Sequence, residues 1–170
     1  MLYKLHSQPK TLKHHEKLET HHPEVVWLKY RDNPTKLRQF EHLWAKDAYR
    51  AVLYAAHTLR GPFPAGERII STDPECSCNY ALLALKGPFP KGEKAISEHY
   101  DWSFEYAWRV LKGPFPMGEE AISKDPYYSS RYAREVLKAP FPLGENAISK
   151  NSPSRYSYLK AFPERRRFLK

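Results

Sequence analysis

The chain has 170 residues, 41% of them apolar, and a formal net charge of +9. That length and apolar content allow one domain with a real core and exclude wholesale disorder. No apolar run approaches the ~20 residues of a membrane-spanning helix, which excludes a helical membrane protein.

The first segment, residues 1–22, reads as a basic, histidine-rich arm with Pro9 and a short helical stretch from Thr11 to Thr20. Met1–Lys10 lacks the apolar centre of a signal peptide, so a cytoplasmic location is expected. The pairs His14-His15 and His21-His22 lie two helical turns apart, ~10 Å, too far to share one ion. No metal site and no cofactor are expected from them or from any other group in the chain.

From Pro23 a helical pattern begins, with Val25, Val26, Trp27, Leu28 and Tyr30 as its apolar side. Asn33-Pro34 breaks it, and a second helix runs through Leu37, Phe40, Leu43 and Trp44. Residues 23–46 read as a degenerate capping repeat, because the motif described next falls in register on Glu41 and Leu43-Trp44 when shifted back 26 residues.

Four copies of Pro-Phe-Pro-x-Gly-Glu follow, beginning at Pro62, Pro88, Pro114 and Pro140, always 26 residues apart. A tyrosine precedes each (Tyr54, Tyr80, Tyr106, Tyr132), and an apolar pair with serine follows each, as in Ala121-Ile122-Ser123. A fixed period in this range is the signature of a stacked array whose units cannot bury their apolar faces alone. The four repeats, residues 47–150, each predict a helix of about 12 residues followed by a shorter one. Asp47, Asp73 and Asp125 are N-cap candidates; His99-Tyr100 replaces the pattern in the third copy, whose helix is expected to start later, at Asp101 or Ser103. Gly61, Gly87 and Gly113 are expected to supply the left-handed residue that ends each long helix, Ala139 less well, making the last turn the loosest. Pro-Phe-Pro extends the connection, and its Phe is expected to wedge between helices. Tyr80, Tyr106, Tyr132, Phe89, Phe115, Phe141, Ile96, Ile122 and Ile148 form the predicted core.

Glu67, Glu93, Glu119 and Glu145 lie in the first turn of each short helix, where a carboxylate offsets the positive end of the dipole. A second ladder, Arg60, Lys86, Lys112 and Lys138, stands at the last turn of each long helix. Capping explains it, and one cation per repeat makes the four candidate phosphate contacts as well. Cys76 and Cys78 share a helical turn but face different ways, so both read as buried small residues without a mutual disulfide. After Ser149 a half repeat runs to Phe162 and ends in a basic tail containing Arg165, Arg166 and Arg167, so that residues 151–170 close the array.

The charge sits on the ends. Residues 1–46 carry nine Lys/Arg and five Asp/Glu, +4; residues 150–170 carry seven and one, +6; residues 47–149 carry twelve and thirteen, −1. A uniform nucleic-acid groove would have charged the repeats themselves. Positions that vary between copies gather aromatics, with Tyr100, Trp102, Tyr127 and Tyr128 the candidate partner-binding set. No phosphate loop, zinc motif or nucleophile elbow occurs, and His57 and His99 are isolated.

The unit Tyr-Ala-x-x-Val-Leu-Lys-Gly-Pro-Phe-Pro-x-Gly-Glu-x-Ala-Ile-Ser, as in residues 106–123, resembles the short helical repeats of uncharacterised proteins of tailed bacteriophages and some bacteria. The resemblance covers about residues 41–162 and implies a viral or mobile-element origin, with roles in host interaction or virion assembly; a phage protein would then work in the host cytoplasm. The sequence reading is thus an all-α, short α-solenoid of helix pairs acting as a non-catalytic module for a protein partner. A nucleic-acid binder gripping phosphate with its basic termini is the first alternative, and an enzyme built on His57 or His99 the second. The sequence leaves the oligomeric state open.

Overall fold

Proline and aspartate set where the helices begin. The computed structural model describes residues 22–169; the arm's His14-His15 pair and His21 lie outside them. Among the described residues every regular element is helical. The four long helices are α-helical over Ala48–Leu53, Pro74–Asn79, Tyr100–Glu105 and Pro126–Arg131. Each continues as a π-helix, over Tyr54–Leu59, Tyr80–Leu85, Tyr106–Leu111 and Tyr132–Leu137. The short helices are Pro64–Ile70, Glu93–Ser97, Glu119–Ser123 and Glu145–Ser149, the last three entered through a 3-10 turn. Asp47, Asp73 and Asp125 accept the N–H of Arg50, Cys76 and Tyr128 at 2.7–2.8 Å, as N-caps do. The third long helix does not start late: it begins at Tyr100 in the common register although His99 offers no cap bond. Packing against the neighbouring copies fixes that start.

Three short helices, Pro23–Tyr30, Pro34–Arg38 and Glu41–Trp44, precede the array. Ser152–Ala161 and a 3-10 turn over Pro163–Arg167 follow it. Long helices of successive copies pack side by side. Each short helix packs on its own long helix, and the last three pack on the next one as well. The predicted core is buried throughout: Tyr80, Tyr106, Tyr132 and the three isoleucines are 0% exposed, and the three phenylalanines 3%. Each Phe stacks edge-on against the Tyr of its own copy, with ring centroids 4.9–5.2 Å apart for Tyr80–Phe89, Tyr106–Phe115 and Tyr132–Phe141.

Hydrogen bonds then tie each copy to its successor. The Tyr80 hydroxyl accepts the Phe63 N–H (2.7 Å) and donates to Glu67 (3.2 Å). Tyr106 bridges Phe89 and Glu93 in the same way, Tyr132 bridges Phe115 and Glu119, and Tyr158 bridges Phe141 and Glu145, all at 2.7–2.9 Å. The glutamates therefore do more than the dipole role read from the sequence: each also takes the hydroxyl of the following copy. Buried Ser77, Ser103 and Ser129 add a second link, donating to the carbonyls of Ile70, Ile96 and Ile122 at 2.8–2.9 Å.

The left-handed residue is not the glycine. Arg60, Lys86, Lys112 and Lys138 have φ of 52–53°, and no glycine has positive φ. The π ending is the reason. The Ala55 carbonyl accepts both the Arg60 and the Gly61 N–H, so the residue that must turn back lies between the helix and Gly61. Ala139 accordingly fits as well as glycine, and the last turn matches the others, with Lys138 at φ 52°. A Cβ at Gly113 would meet nothing nearer than 3.8 Å. The second glycine is the constrained one. A Cβ at Gly118 would lie 2.5 Å from Ser103 Oγ and 2.6 Å from the Phe115 ring.

Gly118→Ala should therefore cost about 1–3 kcal/mol by overpacking, while Gly113→Ala should stay within ~0.5 kcal/mol of wild type; urea midpoints of the two variants check this. The tyrosines give a second expectation. Burial pushes Tyr54 and Tyr80 from 10 up to about 12, with the neighbouring carboxylates Glu41 and Glu67 acting in the same direction. Tyr106, Tyr132 and Tyr158 are raised likewise. The folded state thus holds these protons more tightly than the unfolded chain. That stability is complete below pH ~10 and is lost as pH rises through about 12. Tyrosinate absorbance should appear together with the loss of helical dichroism; ionisation of these tyrosines in a fully helical protein would contradict the buried bridges.

Candidate functional site

With the constant positions consumed by the seams between copies, the remaining side chains decide what the surface offers. Ten of the thirteen exposed large apolar residues lie on the long helices or their terminal counterparts: Val25, Trp27, Leu28, Tyr49, Leu53, Leu83, Tyr100, Trp108, Tyr127 and Tyr156. Met117 and Leu143 sit at the variable loop position, and Phe168 in the tail.

The densest group spans the third and fourth long helices. Tyr100, Phe104 and Trp108 recur every fourth residue and so share one side of their helix. Phe104 is fully buried and stacks on Trp108 at 5.9 Å and on Tyr128 at 5.5 Å. Tyr128 also meets Tyr100 at 5.3 Å and Tyr127 at 5.2 Å. Arg131 lies over Phe104, its guanidinium carbon 4.4 Å from the ring centroid, within 5.5 Å of the Trp108 and Tyr127 rings. Glu135 holds that guanidinium with two bonds of 2.9–3.0 Å. Glu135 raises the Arg131 pKa further, whereas burial raises that of Tyr128, aided by Asp101 and Glu105. The aromatic edges of this set are held by contacts with one another and with Arg131.

Of the four aromatics singled out from the sequence, Tyr100 and Tyr127 are exposed members of this group, and Tyr128 is its half-buried hinge. Trp102 stands apart. Two residues from Tyr100 on the helix, it is half-buried against the core like Tyr128 but makes no ring contact with the group. Trp108 and Arg131 went unread. The i, i+4, i+8 spacing from Tyr100 to Trp108 was the available signal, obscured by the neighbouring constant Tyr106 and Ala107.

Farther along the same face, an apolar groove of about 720 Å³ opens between Pro23–Tyr30 and the first long helix. Trp27, Leu28, Trp44, Tyr49 and Leu53 line it, with the Glu24–Arg50 pair (3.3 Å) and His57 also on its walls. Among the described residues neither His57 nor His99 hydrogen-bonds a carboxylate through its ring, and no three His, Cys, Asp or Glu converge to hold a metal. Burial pushes the thiols of Cys76 and Cys78 up to about 12.

The cationic candidates divide. Arg165 is clamped on Glu145 by bonds of 2.6 and 2.7 Å, which lowers the Glu145 pKa and keeps Arg165 off solvent partners. Arg166 and Arg167 are exposed, Arg167 lying over the Phe168 ring. Arg60, Lys86, Lys112 and Lys138 are all exposed. Their left-handed backbone costs about 1–2 kcal/mol each, against ~0.3–1 kcal/mol returned by a cation at a helix C-terminus. Lys112→Gly should consequently stabilise the protein, by about 1 kcal/mol; an unchanged or lower urea midpoint would show that the lysine is not strained.

Among the described residues no helix is long and apolar enough to cross a membrane. Compared with protein-family models, with curated proteins and with solved structures, the chain finds no match in any of the three.

Proposed function

We propose that the protein is a non-catalytic binding module whose long-helix face takes a protein partner. The concentration of exposed apolar side chains on that face, with none on the four short helices of the array, carries this reading. Exposed aromatics held by stacking, beside arginine, have the composition of interface hot spots. The solenoid supplies the rest, presenting one helix per copy along an extended surface. The phage-type resemblance adds the setting, host interaction or virion assembly, with the host cytoplasm as the place of work.

Capture from host-cell lysate, with nuclease present, supplies the partner for measurement. Tyr100→Ala, Trp108→Ala and Tyr127→Ala should each fold, since their side chains are 44–55% exposed. Together they should weaken binding by at least ~2 kcal/mol, the scale of hot-spot residues. Arg166→Ala with Arg167→Ala should leave affinity within about tenfold, ~1.4 kcal/mol. Essential arginines with dispensable aromatics, or capture abolished by nuclease, would instead favour a nucleic-acid binder working through its basic ends.

A further inference from the structure

Four times in register the chain places a cation where its backbone would be better served by glycine. At Arg60, Lys86, Lys112 and Lys138 the left-handed conformation is sparsely populated for any residue with a Cβ. The return from the helix dipole is smaller than that cost. A strained residue kept at the same point of every copy directs attention to what its side chain does.

Two further observations bear on the answer. Among the described residues none of the four makes an ion pair or a side-chain hydrogen bond, and all four are exposed. The glutamates seven residues on, Glu67, Glu93, Glu119 and Glu145, are turned into the seams, where the tyrosine hydroxyls of the following copies hold them, and Glu135, three residues before Lys138, is bound by Arg131. The carboxylates that would neutralise the row are thus engaged elsewhere. The prolines that follow each cation, Pro62 and Pro64 in the first copy and their counterparts, bring no charge and no N–H.

We propose that Arg60, Lys86, Lys112 and Lys138 form a phosphate track for a single-stranded nucleic acid, a second surface separate from the aromatic one. Long helices packed side by side lie about 8–10 Å apart, so in-register cations recur at roughly that interval. A flexible single strand can set its phosphates at that interval, so that each cation meets one of them. A duplex strand winds away from a straight row, whereas a single strand can follow it. The contacts are to phosphate alone, so binding is independent of sequence and steeply dependent on salt.

Two variants separate charge from backbone. One is Arg60→Gly, Lys86→Gly, Lys112→Gly, Lys138→Gly, which removes charge and strain together; the other is Arg60→Gln, Lys86→Gln, Lys112→Gln, Lys138→Gln, which removes charge and keeps a left-handed side chain. The probe is an oligothymidine long enough to span four copies, titrated at several salt concentrations. The wild type should bind it. Both variants should flatten the log–log salt slope by about 3, so that wild type loses ~50-fold more affinity between 50 and 200 mM salt than either variant. Circular dichroism should show both folded, the glycine variant with the higher midpoint. No binding by wild type would overturn the proposal. So would an unchanged slope in either variant, or loss confined to a companion Arg166→Ala, Arg167→Ala protein. Equal affinity for polyglutamate of matching length would overturn the assignment to phosphate.

Discussion

A tyrosine hydroxyl placed between two copies holds this array together. Buried away from water, it needs both a donor and an acceptor, because an unsatisfied polar group in the interior costs about 1–3 kcal/mol. The preceding copy supplies both: the Phe N–H left open by the turn, and the Glu carboxylate four residues on. Neither could be satisfied within its own copy. The buried hydroxyl thus converts a local turn into a rule of assembly, and the same geometry recurs at Tyr80, Tyr106, Tyr132 and Tyr158. Among the described residues no buried side-chain polar atom is left without a partner.

The other constant positions follow from that contact. For the Phe N–H to reach the next tyrosine, the turn must lie flat on its own long helix. That requires a residue without Cβ at Gly66, Gly92, Gly118 and Gly144, with a small residue, Ala51 or Ser, beneath it. The Ser hydroxyl, in turn, donates to an isoleucine carbonyl of the preceding copy, which also accepts the N–H three residues on. Phe, Gly, Glu, Tyr and Ser are consequently coupled, and a change at one leaves another unpaired or overpacked. What is left free is the outer side of the long helices. Its residues vary between copies because no seam uses them, so the exposed apolar side chains there differ in type, Leu83 in the second copy and Trp108 in the third.

Much of this was legible in the sequence because it is periodic. The 26-residue register gave the helix pairs, the aspartate caps and the buried Tyr, Phe and Ile sets, since each is a local or repeated pattern. What escaped depends on geometry that a one-dimensional pattern does not encode. A π ending hydrogen-bonds one residue wider than an α-helix, and so moved the left-handed turn from Gly61 to Arg60. The two glycines of each of the first three copies look equally required in the sequence, yet only Gly66 and its counterparts face a crowded side chain. The partner of Glu119 lies thirteen residues away in the next copy, beyond any local motif. Trp102 and Trp108 look alike as variable aromatics, but only helix phase tells which of them meets Arg131.

The two ends show what the seams contribute. At the C-terminal end, Tyr158 makes both of its bonds, and Arg165 closes over Glu145, so the last seam is sealed with an extra ion pair. At the N-terminal end the seam is thinner. Tyr54 reaches Glu41 at 3.3 Å, Leu37 stands in the register of Phe, and Ala51 replaces the linking serine. Leu28, in the register of the buried tyrosines, is 63% exposed. In a linear array stability is close to a sum of units and nearest-neighbour seams, so opening should begin at that end, where the apolar groove also lies. A partner seated there would cover Leu28 and Trp27 and supply the burial the first seam lacks. Occupancy of that groove would thereby couple binding to folding of the first copies, because a partner raises the stability of the unit it covers.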